Sequence, residues 1–592
     1  MNKKRILPRI LGHSQESNQL PADSSKEIPL STNGITRREF VQAAGTAIAA
    51  AAALSPAAAL QAAETAAAGR GGRPNIILMI TDQERYPQYW PDGWADTYLP
   101  NRKRLADHGL TFNRAFCNAA MCTPSRATLF TGLYLTQHGV EHTLTTGGCL
   151  SPNEPTLPTT TQNIAKVLAC AGYNVQYRGK WHLTKDVTDT TDASSADDLA
   201  KFGFQGWQPP DAGQDTNPAH FGGGCADYDT RWANQAAAFL QSKEAISGKP
   251  FALIISFVNP HDALAYAQSW DKTVGNAQLG LCDNYGDSSP DCFNQQIELP
   301  PTHDEPLDLN FKPRAQAQSR LLLDEGLGFL VDRTEPLDDT EKMNYVNFYA
   351  FLHTVVDKNI GTVLDALEAN TSLYNNTVVI RVADHGEMGL SHGGLRQKLF
   401  NAYEETIHVP MVISNPKYFP NAVQTNALAS LVDVLPTLAT LANVPNRDKW
   451  DFKGVDLTPI IMDAINNPSN PTASVQDSVL FMFDDDNPGC ANPQNIVKEP
   501  CHIRCVRDGR YKYAVYFDPC GVETSQYELY DLQNDPTEYN NMADPANVAY
   551  YNPTLVAQMQ AKLAQKMTET GVNFKPTSAY CSTPPECQPS PP

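Results

Sequence analysis

The sequence predicts an α/β protein: a large, mostly parallel central sheet flanked by helices, followed by a smaller C-terminal domain built on an antiparallel sheet. Three observations carry this. Apolar runs at Asn75–Thr81, Tyr173–Tyr177, Phe251–Phe257, Thr377–Val382 and Val409–Ser414 read as short strands buried on both faces. Helical patterns lie between them, at about 160–171, 228–247, 339–369 and 426–443, and this alternation favours parallel strands joined by crossover helices. From about 475 the pattern changes: VLFMF, RCVRDGRYKYAVYF and YELYDL read as strands of a small antiparallel sheet, with a helix at about 553–570 and a Pro-rich tail after it.

The first seventy residues read as an address rather than as fold. Thr36-Arg37-Arg38-Glu39-Phe40 precedes an Ala-dominated stretch, Val41 to Ala68, that has no Lys or Arg and several small-x-small sites suited to a signal peptidase. The arrangement resembles a twin-arginine export signal and predicts a periplasmic or secreted protein. A transmembrane helix is the poorer reading, because Pro56 interrupts the run and Gln61 and Glu64 follow it. No later stretch reaches the ~18 apolar residues that a span needs. After a Gly/Arg hinge the expected organisation is a leader over 1–70, a catalytic domain over 71–474 and a C-terminal subdomain over 475–592.

A chain of 592 residues exceeds what one core organises, and its net charge of −20 opposes nucleic acid and anionic membrane as partners. Without the leader the charge is about −23, so any site for an anionic substrate must be a local reversal of the field. Thirteen cysteines suit an oxidising compartment. Cys282 and Cys292, ten residues apart in a polar segment with Gly and Pro to turn the chain, are an expected disulfide. No pair forms a CxxC zinc ribbon.

The residues that follow the strands matter most. The run at 75–80 leads into Asp82-Gln83, that at 173–177 into Gly179-Lys180-Trp181-His182, that at 251–257 into Asn259-Pro260-His261-Asp262, and that at 377–382 into Asp384-His385-Gly386-Glu387. Ligands of open α/β sheets bind in the crevice at the carboxyl ends of the strands. Carboxylates, imidazoles and an ammonium therefore converge on one edge, as an enzyme requires. The pair Asp82 and Asp384 with His385 suits a divalent cation, and its oxygen-rich part suits Ca²⁺ or Mg²⁺ better than Zn²⁺.

The sharpest motif is Cys122-Thr-Pro124-Ser125-Arg126-Ala-Thr-Leu-Phe-Thr131-Gly132, with Pro124 placed for the first turn of a helix. Here the sequence resembles the type I sulfatases of the alkaline phosphatase superfamily. Gly-Lys-Trp-His at 179–182, Pro-His at 260–261, Asp-His-Gly-Glu at 384–387, Tyr-Glu-Glu at 403–405, LVDVLPTLATLANV at 431–444 and Glu528-Leu-Tyr-Asp531 extend the resemblance along the chain. It implies that a formylglycine-generating enzyme converts Cys122 to formylglycine, and that Asp82, the modified Cys122, Asp384 and His385 hold one divalent metal, Ca²⁺ first with Mg²⁺ or Mn²⁺ as alternatives. It implies catalytic roles for Cys122, Arg126, Lys180, His182, His261 and Lys398. A hydrated aldehyde on the metal would attack the sulfur of a sulfate monoester, His261 or Lys398 would protonate the leaving alcohol, and His182 would take the proton that lets sulfate depart.

The chain departs from its relatives in two places. Many carry Asp-Asp and Asp-Asn where this chain has Asp82-Gln83 and Asp384-His385, and Lys398 precedes Tyr403 by five residues rather than four. The expected function is a secreted sulfuric ester hydrolase acting on a sulfated small molecule or carbohydrate. A phosphonate monoester or phosphodiester hydrolase of the same superfamily is the alternative, opposed by the intact Gly-Lys-Trp-His. A non-catalytic binding protein on the same fold is the third reading. The alcohol is not legible; the insertion at about 262–337, the loop from Trp207 to Asp229 and the small domain are the places to seek it, with Trp207, Phe221 and Trp270 expected either to line a sugar or aryl site or, more often for such residues, to pack in core or lid.

Overall fold

The computed structural model describes residues 73–144, 154–185, 195–214, 220–224, 226–266, 294–307, 311–327, 339–485 and 496–575. The leader, Trp270 and the Cys282–Cys292 pair lie outside them. In chain order the strands are β1 (Asn75–Asp82), β2 (Gly109–Phe112), β3 (Ala115–Phe116), β4 (Asn174–Gly179), β5 (Phe251–Pro260), β6 (Thr377–Ala383), β7 (Met411–Ser414), β8 (Val423–Thr425), β9 (Ala429–Ser430), β10 (Ser478–Phe483), β11 (His502–Asp508), β12 (Tyr511–Phe517) and β13 (Gln526–Asp531). The large sheet has the order β4-β5-β1-β6-β7-β2-β8. Four of the five expected strands, β4, β5, β1 and β6, are mutually parallel.

The fifth expected strand, at Met411–Ser414, is the exception in this mostly parallel sheet: β7 runs antiparallel to both β6 and β2. Its cause is the connection: between β6 and β7 only two four-residue helical turns form, Ser391–Gly394 and Glu404–Ile407. A parallel return needs a crossover of a dozen or more residues spanning the sheet. Here the chain stays at the carboxyl edge of β6 and turns straight back.

Alternation along the buried strands divides the core into two layers. Ile76, Leu78 and Ile80 face one cluster, with Ile164, Val167, Leu168, Val434, Leu435 and Leu438 from the helices Ile164–Ala169 and Val434–Leu441. Ile77 and Met79 face the other, with Ala233, Ala236 and Leu240 of the helix Tyr228–Leu240 and Val356, Ile360, Val363 and Leu367 of the helix Asp339–Glu368. Each fully buried aliphatic side chain contributes roughly 1.5–3 kcal/mol. The expected helix at 426–443 is shorter because β9 pairs with β3 and Ser430 and Asp433 form a capping box that delays its start. The helix Arg314–Leu327, inside the insertion, has no counterpart in the sequence reading.

The small sheet is an antiparallel meander, β10-β11-β12-β13. The helix Pro553–Thr570 covers it with Met559, Leu563 and Met567, packed among Leu480, Met482, Val506, Val515 and Leu529. Asn118 ties it to the rest: its side chain donates to Leu480 O at 2.9 Å, and its carbonyl accepts from Met482 N at 2.9 Å. Glu404 adds charge, with Arg507 and Lys512 each at 3.3 Å, and these cations hold its buried carboxyl down to about 2. Among the described residues no helix is long and apolar enough to cross a membrane.

One glycine is required where β4 delivers its polar residues. Gly179 has φ +107°, and a Cβ there would stand 1.9 Å from Ser256 O of β5. Gly179→Ala should destabilise the fold by more than about 3 kcal/mol, read as a lower thermal midpoint and a loss of soluble protein.

Candidate active site

Register builds the centre of the site. β1 and β6 pair in parallel with Thr81 opposite Ala383, so the next residues, Asp82 and Asp384, stand side by side at the carboxyl edge. Both are fully buried. The helix Cys122–Thr131 starts against them and is buried throughout. Arg126 lies one turn beyond Cys122, on the same face. Its Nε donates to Asp384 Oδ2 and its Nη2 to Asp82 Oδ2, each at 2.9 Å, while Nη1 donates to Ser256 Oγ and Lys180 O. Cys122 Sγ is 3.2 Å from His385 Nε2 and 3.5 Å from Asp82 Oδ1.

Two more strands deliver the remaining groups. Lys180 Nζ is 2.6 Å from Asp82 Oδ2 and also donates to Gly213 O. His182, at φ +54°, donates from Nε2 to Leu144 O at 2.8 Å, which leaves a buried Nδ1 without a protein partner. Trp181 N and His182 N both donate to the Asp211 carboxylate, at 2.8 and 2.7 Å. His261 begins a 3₁₀ turn after the cis Asn259–Pro260 bond. Asp229 holds that approach by accepting from Val258 N, Asn259 N and Asn259 Nδ2 at 2.7–3.0 Å.

Lys398 reaches the same centre despite its shifted position in the sequence. The loop that carries it has positive φ at Gln397 and Phe400 and places Lys398 Nζ 2.7 Å from Gln83 Oε1. The other end of that amide, Gln83 Nε2, donates to Glu387 Oε2 at 2.6 Å. His392 and Arg396 point elsewhere: His392 pairs with Glu305 and stacks on Tyr403, and Arg396 pairs with Asp324. Trp207 and Phe221 are buried, and the Trp207 indole N–H donates to Gly179 O.

The charges settle against burial. Burial alone would raise the Asp82 carboxyl, but the Lys180 and Arg126 cations beside it hold it well below the usual range. Asp384 moves the other way, raised by burial and by the neighbouring Asp82 charge. Burial and Lys180 push His182 and His261 well down, so both imidazoles are neutral. One ligand atom from each of Asp82, Cys122, Asp384 and His385 lies within 4.8 Å of the others. Two carboxylates and a neutral imidazole fit a divalent cation, with Lys398 occupying Gln83 as a hydrogen-bond partner. A second grouping, Glu499, Cys501 and His502, has a different character. There Asp484 and Glu499 flank His502 at 3.0 and 3.2 Å and, against burial, push its imidazole up to about 10.

The sulfatase family model matches residues 74–444, the whole span of the large sheet and its site. This chain belongs to the sulfatase family. A second model, N-sulphoglucosamine sulphohydrolase, C-terminal, matches residues 392–569. Among similar proteins are an ulvan-active sulfatase of Formosa agariphila, 26% identical over 518 residues that cover 86% of this chain and 84% of that protein, and an N-acetylglucosamine-6-O-sulfatase of Bacteroides thetaiotaomicron, 24% identical with 85% and 87% covered. A solved structure in complex with its substrate D-glucosamine-2-N,6-O-disulfate shares the fold, with TM-score 0.59, 21% identity and coverage of 86% of this chain and 100% of that one.

In this sulfatase Asp211, Asp229, Ser256 and Glu387 support the site, and the sequence reading gave none of them a role. Asp211 sits in the loop Gln-Pro-Pro-Asp-Ala-Gly and Asp229 at the start of a helix, where an Asp ordinarily serves turns and caps. Burial pushes the Asp211 carboxyl up to about 6. A carboxyl raised in the fold binds its proton more tightly there than in the unfolded chain. Its contribution to stability therefore falls as pH rises from about 4 to about 6 and stays level above. Asp211→Asn lacks this titration and turns an N–H toward the backbone donors, so it should lower kcat and thermal midpoint. Midpoints measured from pH 4 to pH 8 should show wild type's advantage narrowing up to about pH 6.

Proposed function

We propose that this sulfatase cleaves a sulfate monoester on a carbohydrate to alcohol and sulfate, after export and after a formylglycine-generating enzyme has converted Cys122 to formylglycine. The observation that carries the reading is the position of Cys122: at the buried start of a helix, within 3.5 Å of His385 and Asp82, and over an arginine that bridges both carboxylates. Carbohydrate is favoured because the named activities of two relatives are on ulvan and on N-acetylglucosamine 6-sulfate. In a chain of net charge −20, the convergence of Arg126, Lys180 and Lys398 is the reversal of field that an anionic ester needs.

Asp82, Asp384 and His385 would hold the cation, Ca²⁺ first. With formylglycine at position 122, a bound cation would supply activation of an oxygen nucleophile and neutralisation of charge on the sulfuryl oxygens. Arg126 keeps the two carboxylates in place and presents its charge beside residue 122. Lys180 compensates Asp82 from the other side. His182 Nδ1 is the atom equipped to take a proton, since Nε2 is committed to Leu144 O and burial keeps the ring neutral. Lys398 Nζ carries the proton that the departing alkoxide requires, and His261 offers a neutral N–H to the ester.

Enzyme produced in a host able to modify it should yield a Cys122 peptide lighter than the cysteine form by roughly 18 Da, the change from thiol to aldehyde. It should turn over 4-nitrophenyl sulfate faster than phenyl phosphonate esters. Full activity with an intact thiol would sink the covalent reading, and a preference for phosphonates would move the substrate class.

Chelation should lower both activity and thermal midpoint, and Asp384→Asn should cost several orders of magnitude in kcat/KM. A fully active chelated enzyme would refute the cation assignment.

A further inference from the structure

We propose that a recess beside the catalytic strand ends is a subsite for a second sugar ring, the uncharged neighbour of the sulfated residue in a longer saccharide. This rests on the carbohydrate reading above. The recess is open to solvent and holds about 260 Å³. Pockets that enclose a whole small ligand run to roughly 300–1,000 Å³, so this one suits a single ring of something longer. Three parts of the chain meet in it: Arg85, Tyr89 and Trp90 from the loop after β1, Glu298 from the insertion, and Tyr349 from the helix Asp339–Glu368.

Its place in the fold fits a ligand that also reaches the reacting centre. The loop that carries Arg85 leaves β1 at Asp82, and three residues of chain put the two Cα atoms within about 11 Å of each other. Tyr349 joins the two places: its hydroxyl donates to Gln83 O at 2.7 Å and accepts from Arg85 N at 3.1 Å. Gly389, on the loop that follows Asp384-His385, lines the recess as well. A saccharide whose sulfated residue stood at the strand ends could therefore lay its next residue here.

The lining has the chemistry of sugar recognition. Arg85 is 3 % exposed; its Nη1 donates to Met388 O at 3.1 Å and Glu387 O at 3.4 Å and its Nη2 to Gln88 O at 3.4 Å, but its buried Nε has no acceptor. An unmade bond at a buried donor is costly, and a ring hydroxyl supplies the acceptor. Glu298, exposed at the rim, accepts from hydroxyls in turn. The two charges are opposite, so the recess has no surplus to draw a second sulfate, and an uncharged ring fits it. Half-buried Trp90 gives the apolar surface for the C–H face of that ring. It is held edge-on by Trp94, His353 and Tyr349, with ring centres at 4.5, 5.0 and 6.0 Å. The insertion wall is equally fixed, because Gln295 N and Ile297 N donate to Asn347 Oδ1 at 2.9 and 3.0 Å. Little remains to be ordered on binding.

The test compares fully modified, metal-loaded wild type, Trp90→Ala and Glu298→Ala on three kinds of probe. These are 4-nitrophenyl sulfate, a panel of sulfated monosaccharides, and disaccharides in which the same sulfated residue carries an unsulfated neighbour at either end. For the sulfated residue that wild type accepts, a neighbour on one side should lower KM about 10-fold. Each variant should lose that gain while its kcat/KM on the monosaccharide and on 4-nitrophenyl sulfate stays within about twofold of wild type. If Trp90→Ala does not fold, Glu298→Ala, a change at an exposed rim residue, decides alone. No gain from a neighbour at either end, or a loss in the variants that is equal on every substrate, would overturn the subsite and leave the carbohydrate reading standing. Turnover of 4-nitrophenyl sulfate with no sulfated saccharide accepted would overturn both.

Discussion

The structure of the site depends on one guanidinium. Asp82 and Asp384 are placed beside each other by the parallel register of β1 and β6, and two carboxylates stripped of water at that spacing repel. Removing one partner of such a buried group ordinarily costs about 3–5 kcal/mol. Arg126 meets both with a fork of fixed geometry, one nitrogen to each, which a lysine could not do from a single point. Its remaining nitrogen binds Ser256 and the carbonyl of Lys180, so the same side chain also locates the end of β4 and the middle of β5. Four strands and one helix start are thereby referred to a single planar group.

A second device recurs at the two histidine-bearing loops. Asp211 gathers the backbone N–H groups of Trp181 and His182, and Asp229 gathers those of Val258 and Asn259. Burial pushes both carboxyls up, to about 6 and about 7. Each clamps main chain rather than the histidine ring, which leaves His182 Nδ1 without a protein partner. The scaffold thus carries its cost in supporting acids one residue or more removed from the reacting groups.

The layers of the fold and most of the site were legible because they rest on local signals. Runs such as Asn75–Thr81 are apolar on both faces, and polar residues directly after a strand must emerge at its carboxyl edge. The antiparallel sense of β7 was not legible, since direction is a property of the connection and not of the strand's own residues. The helix Val434–Leu441 is shorter than the pattern suggests because Leu428–Ala429 and Leu431–Val432 are as apolar as a helix face, yet Ala429–Ser430 are taken up by pairing with Ala115–Phe116. Asp211 and Asp229 were hidden for a related reason: their partners are backbone amides far away in the chain, and no spacing rule marks them. Lys398 looked displaced by one residue, and the irregular backbone around Gln397 and Phe400 brought it back.

The helix that begins at Cys122 is buried from its first residue to its last, and this sets an order of events in the life of the chain. Its neighbours come from Asp82, forty positions earlier, and from Asp384 and His385, some 260 positions later. Until the later segment has been synthesised, nothing closes over the Cys122 side chain; afterwards it is walled in by charged groups. An enzyme that is to rewrite that side chain must therefore work on nascent or unfolded polypeptide. If Cys122 is converted as proposed, maturation is a race between that enzyme and folding, and any change that speeds closure of the sheet over this helix shortens the time allowed for it.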